Sequence, residues 1–219
     1  SNVNFCYCIN ENWNSAERGD VMPKDTFFNL SDEKRKKIEK ALEKEFSRTT
    51  FEKSSISNII EEADIPRGSF YQYFEDKEDA ERYIVQKYIL KENALFKKFL
   101  KENNGDIFKI AIKAFDYIVS EAQKKNYANL FVNILQDMRK NNISIFSEED
   151  NRDFKKLIES IDKSILNIND KDDEKYIIKI IFLIVRASVV DVIHQKSTII
   201  EARRELKKQI EILKRGMKK

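Results

Sequence analysis

The segment ADIPRGSFYQYF, at residues 63–74, places a sharp turn between two short stretches in which apolar residues recur at helical spacing. Asp64 tolerates the backbone conformation that ends a helix, and Pro66 suits the first position of a new helix because its missing N–H needs no partner there. Phe70 and Phe74 are four residues apart and therefore share one face of the second helix. Two short helices joined by a tight turn predict a helix-turn-helix.

The remainder of the chain predicts an all-α fold. Only 4 Gly and 2 Pro occur among 219 residues, so few residues interrupt helices. Ser31 is a good N-cap for a first helix over residues 32–47, and Ser54 or Ser55 for a second helix. We expect later helices at roughly residues 76–100, 106–125, 127–140, 149–168, 174–195 and 199–214.

Residues 1–21 lack helical spacing and are expected to be a disordered segment, either a leader or derived from a tag. Ser1 and Asn2 resemble a cloning remnant. The sequence ERGD just before Met22 can be encoded by a purine-rich ribosome-binding sequence. Residues 3–21 are therefore either translated leader ahead of a true start at Met22 or an ordinary disordered tail.

The helix after the turn has two chemically different faces. Its apolar face is expected to pack against the first two helices through Phe70 and Phe74, with Tyr73 beside them. The opposite face carries Arg67, Gly68, Ser69, Tyr71 and Gln72. An arginine can bind guanine through two hydrogen bonds, a glutamine can bind adenine, and hydroxyls can bind phosphate. This face therefore suits the major groove of DNA.

The segment from about residue 31 to residue 88 resembles the N-terminal domain of the tetracycline-repressor (TetR) family of transcription regulators. The resemblance is carried by SSISNIIEEADI and by RGSFYQYFEDKEDA. The family pattern of glycine, aromatics and a Lys-Glu pair appears as Gly68, Phe70, Tyr71, Tyr73, Phe74, Lys77 and Glu78. The turn departs from the family, with Asp64 where Gly is usual and Pro66 where Ser is usual, which leaves fewer hydrogen-bond donors for phosphate there.

The resemblance implies a three-helix helix-turn-helix DNA-binding domain at residues 22–76 and a helical ligand-binding and dimerisation domain at residues 77–219. It implies contacts with the bases or phosphates of double-stranded DNA for Thr50, Ser54, Ser55, Arg67, Gly68, Ser69, Tyr71, Gln72, Tyr73 and Lys77. From Met22 to Lys77 there are 11 Lys/Arg and 12 Asp/Glu, a net charge of −1. DNA binding must therefore depend on where the charges lie.

The resemblance also implies a homodimer on a palindromic operator, with the last two long helices paired with their copies. The residues agree, because YIIKIIFLIVRASVVDVI, at 176–193, is apolar nearly all round and requires burial on two sides. Expected interface residues are Ile184, Ala187, Ser188, Asp191 and Ile210. A two-fold axis places the operator half-sites about 34 Å apart or somewhat wider.

The second domain is expected to bind an unknown small-molecule effector that is apolar or aromatic. The expected lining residues are Tyr83, Tyr88, Phe96, Phe115, Tyr117, Phe131 and Phe146, although a place in the core is the simpler interpretation for each one alone. The function implied is a repressor released from DNA by the effector. A helical protein-interaction module, or a regulator that has lost its ligand response, is the alternative, and the residues alone do not separate repressor from activator.

The sequence lacks the residue patterns of an enzyme, a metal site or a membrane protein. His194 is the only histidine, and Cys6 and Cys8 are too few for a metal site or a disulfide framework. The most apolar run contains three charged residues that a membrane span would have to bury. We therefore expect no catalytic residue, metal or cofactor, no membrane association, and a cytoplasmic location.

Overall fold

The computed structural model describes residues 23–123, 129–134, 159–170 and 172–217. All regular structure in these residues is helical, as the sequence predicts. The helices are α1 (Asp25–Phe28), α2 (Asp32–Arg48), α3 (Ile56–Ala63), α4 (Arg67–Tyr73), α5 (Lys77–Glu102), α6 (Ile107–Ala122), α7 (Asp173–Ile193) and α8 (Ile199–Met217). Residues 129–134 are also helical, and short 3-10 helices lie at Phe51–Lys53 and Lys163–Ile165.

Local sequence signals set the starts of several helices. Ser31 caps α2 by accepting a hydrogen bond from the Lys34 N–H, and Ser55 caps α3 by accepting one from the Ser57 N–H at 3.2 Å. Asp106 caps α6 by accepting hydrogen bonds from two backbone N–H groups at 3.1 Å. These caps satisfy donors that the first turn of a helix leaves free, which is why the predicted starts agree with the structure.

The chain divides into two compact units, Ser1–Leu90 and Lys91–Lys219. The division falls within α5, whereas the sequence places the domain boundary at residue 77. The first half of α5 belongs to the first unit because the Tyr83 ring packs there, 5.0 Å from the Phe27 ring and 6.1 Å from the Phe74 ring.

Aromatic rings form much of the core of the first unit. Phe27, Phe46, Phe70 and Phe74 are all fully buried. Phe27 belongs to α1, a four-residue helix too short to show a helical pattern of apolar residues in the sequence. Its ring centroid lies 5.0 Å from that of Phe74. The first unit therefore holds one helix more ahead of α2 than the sequence predicts.

In the second unit, α6, α7 and α8 pack against one another around a continuous apolar core. Asp116 of α6 and Arg203 of α8 form a bidentate ion pair, with N–O distances of 2.6 and 2.8 Å. Such paired geometry is directional and favours one relative rotation of the two helices.

The prediction of a helix over residues 149–168 is wrong at its C-terminal end. Residues 149–158 lie outside the described part of the chain. Residues 160–170 contain only the 3-10 helix. The Asp162 N–H donates to the Gly105 carbonyl, and a Cβ at Gly105 (φ +73°) would lie 2.5 Å from that nitrogen. The close approach of two loops, which local periodicity does not report, ends the helix before this point.

Candidate DNA-binding site

The turn between α3 and α4 is closed by the residues that the sequence singled out. Asp64 has φ 52° and ψ 55°, the left-handed conformation that ends a helix. The Asp64 and Ile65 N–H groups donate back to the Glu61 and Ile60 carbonyls at 3.1 and 3.0 Å. Pro66 precedes the first residue of α4 and is not within the helix, one position earlier than predicted.

The two faces of α4 separate as predicted. Phe70 is fully buried and Tyr73 is 5% exposed. On the other face, Arg67, Gly68, Tyr71 and Gln72 are exposed and Ser69 is half-buried. The structure therefore brings the expected base-reading side chains together on one accessible surface, while their contacts with DNA stay a prediction.

Arg67 and Tyr71 of this surface contact each other. The Arg67 guanidinium lies 5.8 Å from the centroid of the Tyr71 ring, and one of its N–H groups donates to the Tyr71 hydroxyl at 3.4 Å. A guanidinium that is already held against an aromatic ring loses less conformational entropy when it binds a base. The pair thus holds one potential guanine-binding group ready on the surface.

Gly68 has no internal reason to be glycine. A Cβ built there meets no atom within 4 Å, and its φ is not positive. The fold therefore does not require a glycine at this position. The absence of a side chain at Gly68 instead lets an external partner approach the backbone closely.

Glu45 organises the N-terminus of α3, a role that sequence reasoning missed. Its carboxylate accepts two hydrogen bonds from Arg48, one from the Ser55 N–H at 2.8 Å, and others from the Asn58 amide. The Arg48 guanidinium lowers the pKa of Glu45 despite burial, helped by the Ser55 and Asn58 donors. Because these partners lie 10 and 13 residues away, no local pattern announces the network.

The predicted phosphate contacts from the loop before α3 meet different environments. Thr50 is exposed and available. Ser54 is buried, and its hydroxyl donates to the Phe51 carbonyl at 2.6 Å. The Ser55 hydroxyl already caps α3. Burial and internal bonding therefore argue against Ser54 as a phosphate ligand.

Lys77 is also engaged within the fold. Its ammonium donates to the carbonyls of Phe51, Glu52 and Ser54 at 2.9, 3.1 and 3.4 Å. An ammonium has three N–H donors, so all three are matched by this loop. A phosphate contact from Lys77 would have to replace one of these bonds, which argues against the role that the resemblance implies.

Tyr73 lies at the edge of the first unit's core. Its ring centroid is 6.1 Å from that of Phe27, and the Lys34 ammonium lies 5.9 Å from the ring centroid. Because Tyr73 is only 5% exposed, little of its side chain can reach a phosphate, which argues against the predicted contact.

The expected effector-lining residues are divided between the two units. Tyr83 lies in the core of the first unit, where its hydroxyl donates to Glu39, which corrects the expectation that it lines a ligand site. Tyr88 also belongs to the first unit and is half-buried. Phe115 is fully buried in the core of the second unit, which argues against it too. Phe146 lies outside the described residues.

The remaining expected lining residues, Phe96, Tyr117 and Phe131, are half-buried against the core of the second unit. Desolvation, with the Glu121 and Glu92 carboxylates nearby, raises the pKa of Tyr117 to about 12. The Tyr117 phenol therefore stays protonated at neutral pH and can donate a hydrogen bond.

The expected dimer residues are only partly accessible. Ile210 is 2% exposed and belongs to the core of the second unit, which corrects its assignment to the interface. On α7, Ala187 is exposed, while Ile184, Ser188 and Asp191 are half-buried. The Ser188 hydroxyl donates to the Ile184 carbonyl at 3.0 Å, so it is already used within the helix.

A stripe of exposed apolar side chains lies along α7, within the run that the sequence predicts to be buried on two sides. Tyr176, Ile180, Leu183 and Ala187 are all exposed, and Tyr176 and Leu183 are 57% and 47% exposed. Their spacing of four, three and four residues places them on one face of the helix.

Within the described residues, no cluster of three or more His, Cys, Asp and Glu side chains has the arrangement of a metal site. None of the described helices combines the length and the low polarity that crossing a membrane requires.

Two family models match the chain. Residues 106–217 match the tetracyclin repressor-like C-terminal domain, and residues 38–79 match the bacterial regulatory proteins of the tetR family. The first match alone covers more than half of the 219 residues. No curated protein matches the sequence.

Several solved structures share the fold. A TetR-family regulator from Mesorhizobium loti, described as putative, has 11% identity and a TM-score of 0.57, over 85% of this chain and 98% of that one. The reduced form of NemR from E. coli has 12% identity and a TM-score of 0.58, over 82% and 97%. A Streptomyces coelicolor protein, described as a putative transcriptional regulator, has 15% identity and a TM-score of 0.52, over 82% and 97%. With both family models matched and this fold in common, the chain belongs to the TetR family of helix-turn-helix, DNA-binding transcriptional regulators.

Proposed function

We propose that this protein is a transcriptional repressor that binds a palindromic operator as a homodimer and leaves it when a small apolar or aromatic effector binds. The observation that carries the proposal is the division of α4 into a buried face and an accessible polar face. Arg67, Tyr71 and Gln72 are exposed on that second face, whereas Phe70 is fully buried. These are side chains suited to base edges and phosphates.

The homodimer is supported by the apolar stripe on α7. A row formed by Tyr176, Ile180, Leu183 and Ala187 is costly to leave in water, and a second copy of the same helix is an apolar partner of matching length. A two-fold axis through this stripe presents two reading helices and therefore favours a palindromic operator.

The effector site is proposed in the second unit, near Phe96, Tyr117 and Phe131. These half-buried aromatic side chains lie against its core and offer apolar surface with one phenolic donor. The helix α5 spans 26 residues, or about 39 Å at 1.5 Å per residue, and carries Phe96 in its second half. An effector that shifts this half of α5 would change the spacing between the two α4 helices of the proposed dimer.

The test begins with selection of a duplex from a random-sequence pool by the wild-type protein. We expect an inverted repeat with half-sites about one helical turn apart. Failure to enrich any sequence would remove the DNA-reading function and favour an interaction module.

The selected duplex then tests the effector response. A panel of flat aromatic compounds is titrated against free protein and against the complex. Coupling between two binding sites is reciprocal, so a true effector weakens DNA binding by the same factor by which DNA weakens effector binding. The coupling free energy is typically ~1–3 kcal/mol. A compound that binds equally tightly with and without the duplex would contradict release by this compound.

A further inference from the structure

The carbonyls at the C-terminal end of α4 are all satisfied, and three of them by a distant segment. The last four carbonyls of a helix have no partner within it. Phe70 O accepts from the Phe74 N–H at 2.9 Å. Tyr73 O accepts from the Lys24 N–H at 2.8 Å, and Tyr71 O accepts from the Lys24 ammonium at 2.8 Å.

The fourth of these carbonyls, Gln72 O, accepts a hydrogen bond from the Thr26 hydroxyl. Lys24 and Thr26 therefore supply three donors to three consecutive carbonyls, which lie 46 to 49 positions away in the sequence. Two of those carbonyls belong to Tyr71 and Gln72, whose side chains are on the exposed face of α4.

These three hydrogen bonds stabilise a helix that has no side-chain cap of its own. The helix has seven residues, Pro66 offers no side-chain cap at its start, and the residue after it, Phe74, is in an extended conformation. A helix this short has little cooperative stability of its own. Its last turn, which carries Tyr71 and Gln72, is therefore held largely by contacts from elsewhere in the first unit.

The segment that supplies the donors is itself anchored. Phe27 is fully buried, and its ring packs against the Tyr73 and Phe74 rings. Pro23 is buried as well. The backbone around Lys24 and Thr26 is thus fixed by apolar packing that does not depend on their side-chain hydrogen bonds.

We propose that Lys24 and Thr26 are positioning residues for sequence recognition: they close the C-terminus of α4 and so fix the directions of the Tyr71 and Gln72 side chains. The proposal rests on the proposed DNA-reading function. It predicts an effect on the discrimination between DNA sequences and not on the binding of DNA in general.

The decisive comparison uses Thr26→Val, which keeps the shape and charge and removes the donor, beside Thr26→Ser, which restores a hydroxyl. Thr198→Val is the matched control, because it removes a threonine hydroxyl from the second unit. Each protein is titrated with the duplex selected by the wild type and with a shuffled duplex of the same composition.

We expect Thr26→Val to bind the selected duplex about 5-fold more weakly, the factor of one net hydrogen bond. Binding of the shuffled duplex should change less than about 2-fold, because phosphate attraction depends on charge and the charge is unchanged. Thr26→Ser and Thr198→Val should bind both duplexes as the wild type does.

Hydrogen exchange gives a readout that needs no DNA. Amides of residues 70–74 should exchange faster in Thr26→Val than in the wild type, with a fall in melting temperature of no more than about 4 °C, since mainly the end of α4 frays. If the wild type selects no duplex, the proposed function fails, while this exchange comparison still decides whether Thr26 closes the helix.

Three results would overturn the proposal. One is equal loss of both duplexes together with a larger fall in melting temperature, which indicates a general role in folding. Another is unchanged discrimination and unchanged exchange in Thr26→Val. The third is failure of Thr26→Ser to restore discrimination, which shows that the hydroxyl is not the cause.

Discussion

The Lys77 ammonium donates a hydrogen bond to the Phe51 carbonyl at 2.9 Å, so the start of α5 is tied to the 3-10 helix before α3. Two more carbonyls, of Glu52 and Ser54, accept from the same ammonium. Lys77 thereby joins the end of the helix-turn-helix to the loop at its beginning. This arrangement gives the most direct disagreement with the family pattern, in which the lysine is expected on a phosphate.

Lys77→Met should therefore lower stability more than it alters the salt dependence of DNA binding. Hydrogen bonds from a charged donor contribute about 1.5–3 kcal/mol each, and solvent at this half-buried site reduces the loss, so we expect a total of about 2 kcal/mol. Thermal denaturation and the slope of log affinity against log salt measure the two effects. A slope reduced by about 0.9 would instead place this ammonium on a phosphate.

Neighbouring aromatic residues of α4 should give opposite results when replaced. Tyr71→Ala should weaken binding of the selected duplex at least about 10-fold, comparable with the loss of a bidentate or stacking contact, with little change in melting temperature. Phe70→Ala should cost about 3–5 kcal/mol of stability, because it empties a fully buried site. Early melting of Tyr71→Ala would show that its ring is part of the core.

Glu45 should make stability depend on pH in the acid range. Its pKa is lower in the folded protein, chiefly because of the Arg48 hydrogen bonds, so its contribution is complete above the unfolded value of about 4.3 and disappears as pH falls through the folded value. Glu45→Gln should be less stable than the wild type at pH 7, by about 1–2 kcal/mol. The difference should shrink below pH 4. Parallel urea denaturation curves at several pH values measure it, and a constant difference would contradict the assignment.

The half-buried side chain of Lys87 joins α5 to α2 through two ion pairs. Its ammonium lies 2.9 Å from carboxylate oxygens of both Glu39 and Glu43. Burial by itself lowers the pKa of Lys87, but attraction to the two carboxylates outweighs it and raises the pKa. The stability it contributes is therefore complete below the unfolded value of about 10.4 and is lost as pH rises through the higher folded value.

Lys87→Met should consequently destabilise the protein by about 3 kcal/mol, because two carboxylates are left facing each other without a cation. Adding Glu39→Gln and Glu43→Gln should recover much of that loss. Chemical denaturation of the single and triple variants makes the comparison. A triple variant no more stable than Lys87→Met would show that packing of the lysine stem, and not charge pairing, is what matters.

Leu183→Glu should convert the proposed dimer into a folded monomer. Leu183 is 47% exposed on the apolar stripe of α7, so a carboxylate there disrupts a copy-to-copy contact without entering the core. Ile210→Glu should unfold the second unit instead, because that side chain is 2% exposed. Analytical ultracentrifugation and circular dichroism separate the two outcomes, and a Leu183→Glu dimer of wild-type affinity would move the interface away from this stripe.

The parts of this protein that the sequence determined by itself are those governed by neighbours a few residues apart. The caps at Ser31 and Ser55, the left-handed turn at Asp64 and the opposed faces of α4 all follow from helical spacing and backbone preference. The all-α fold follows from the scarcity of residues that interrupt helices.

Tertiary structure alone decided which partners those helices meet. Tyr83 and Ile210 have the same apolar character as pocket or interface residues, and only the packing of distant helices shows that they are core. Lys77 reaches carbonyls 23 to 26 positions away, and Lys24 and Thr26 reach carbonyls 46 and 47 positions away. Backbone carbonyls are the same at every residue, so no sequence pattern marks which of them a side chain will bind; that choice is made when the chain folds back on itself.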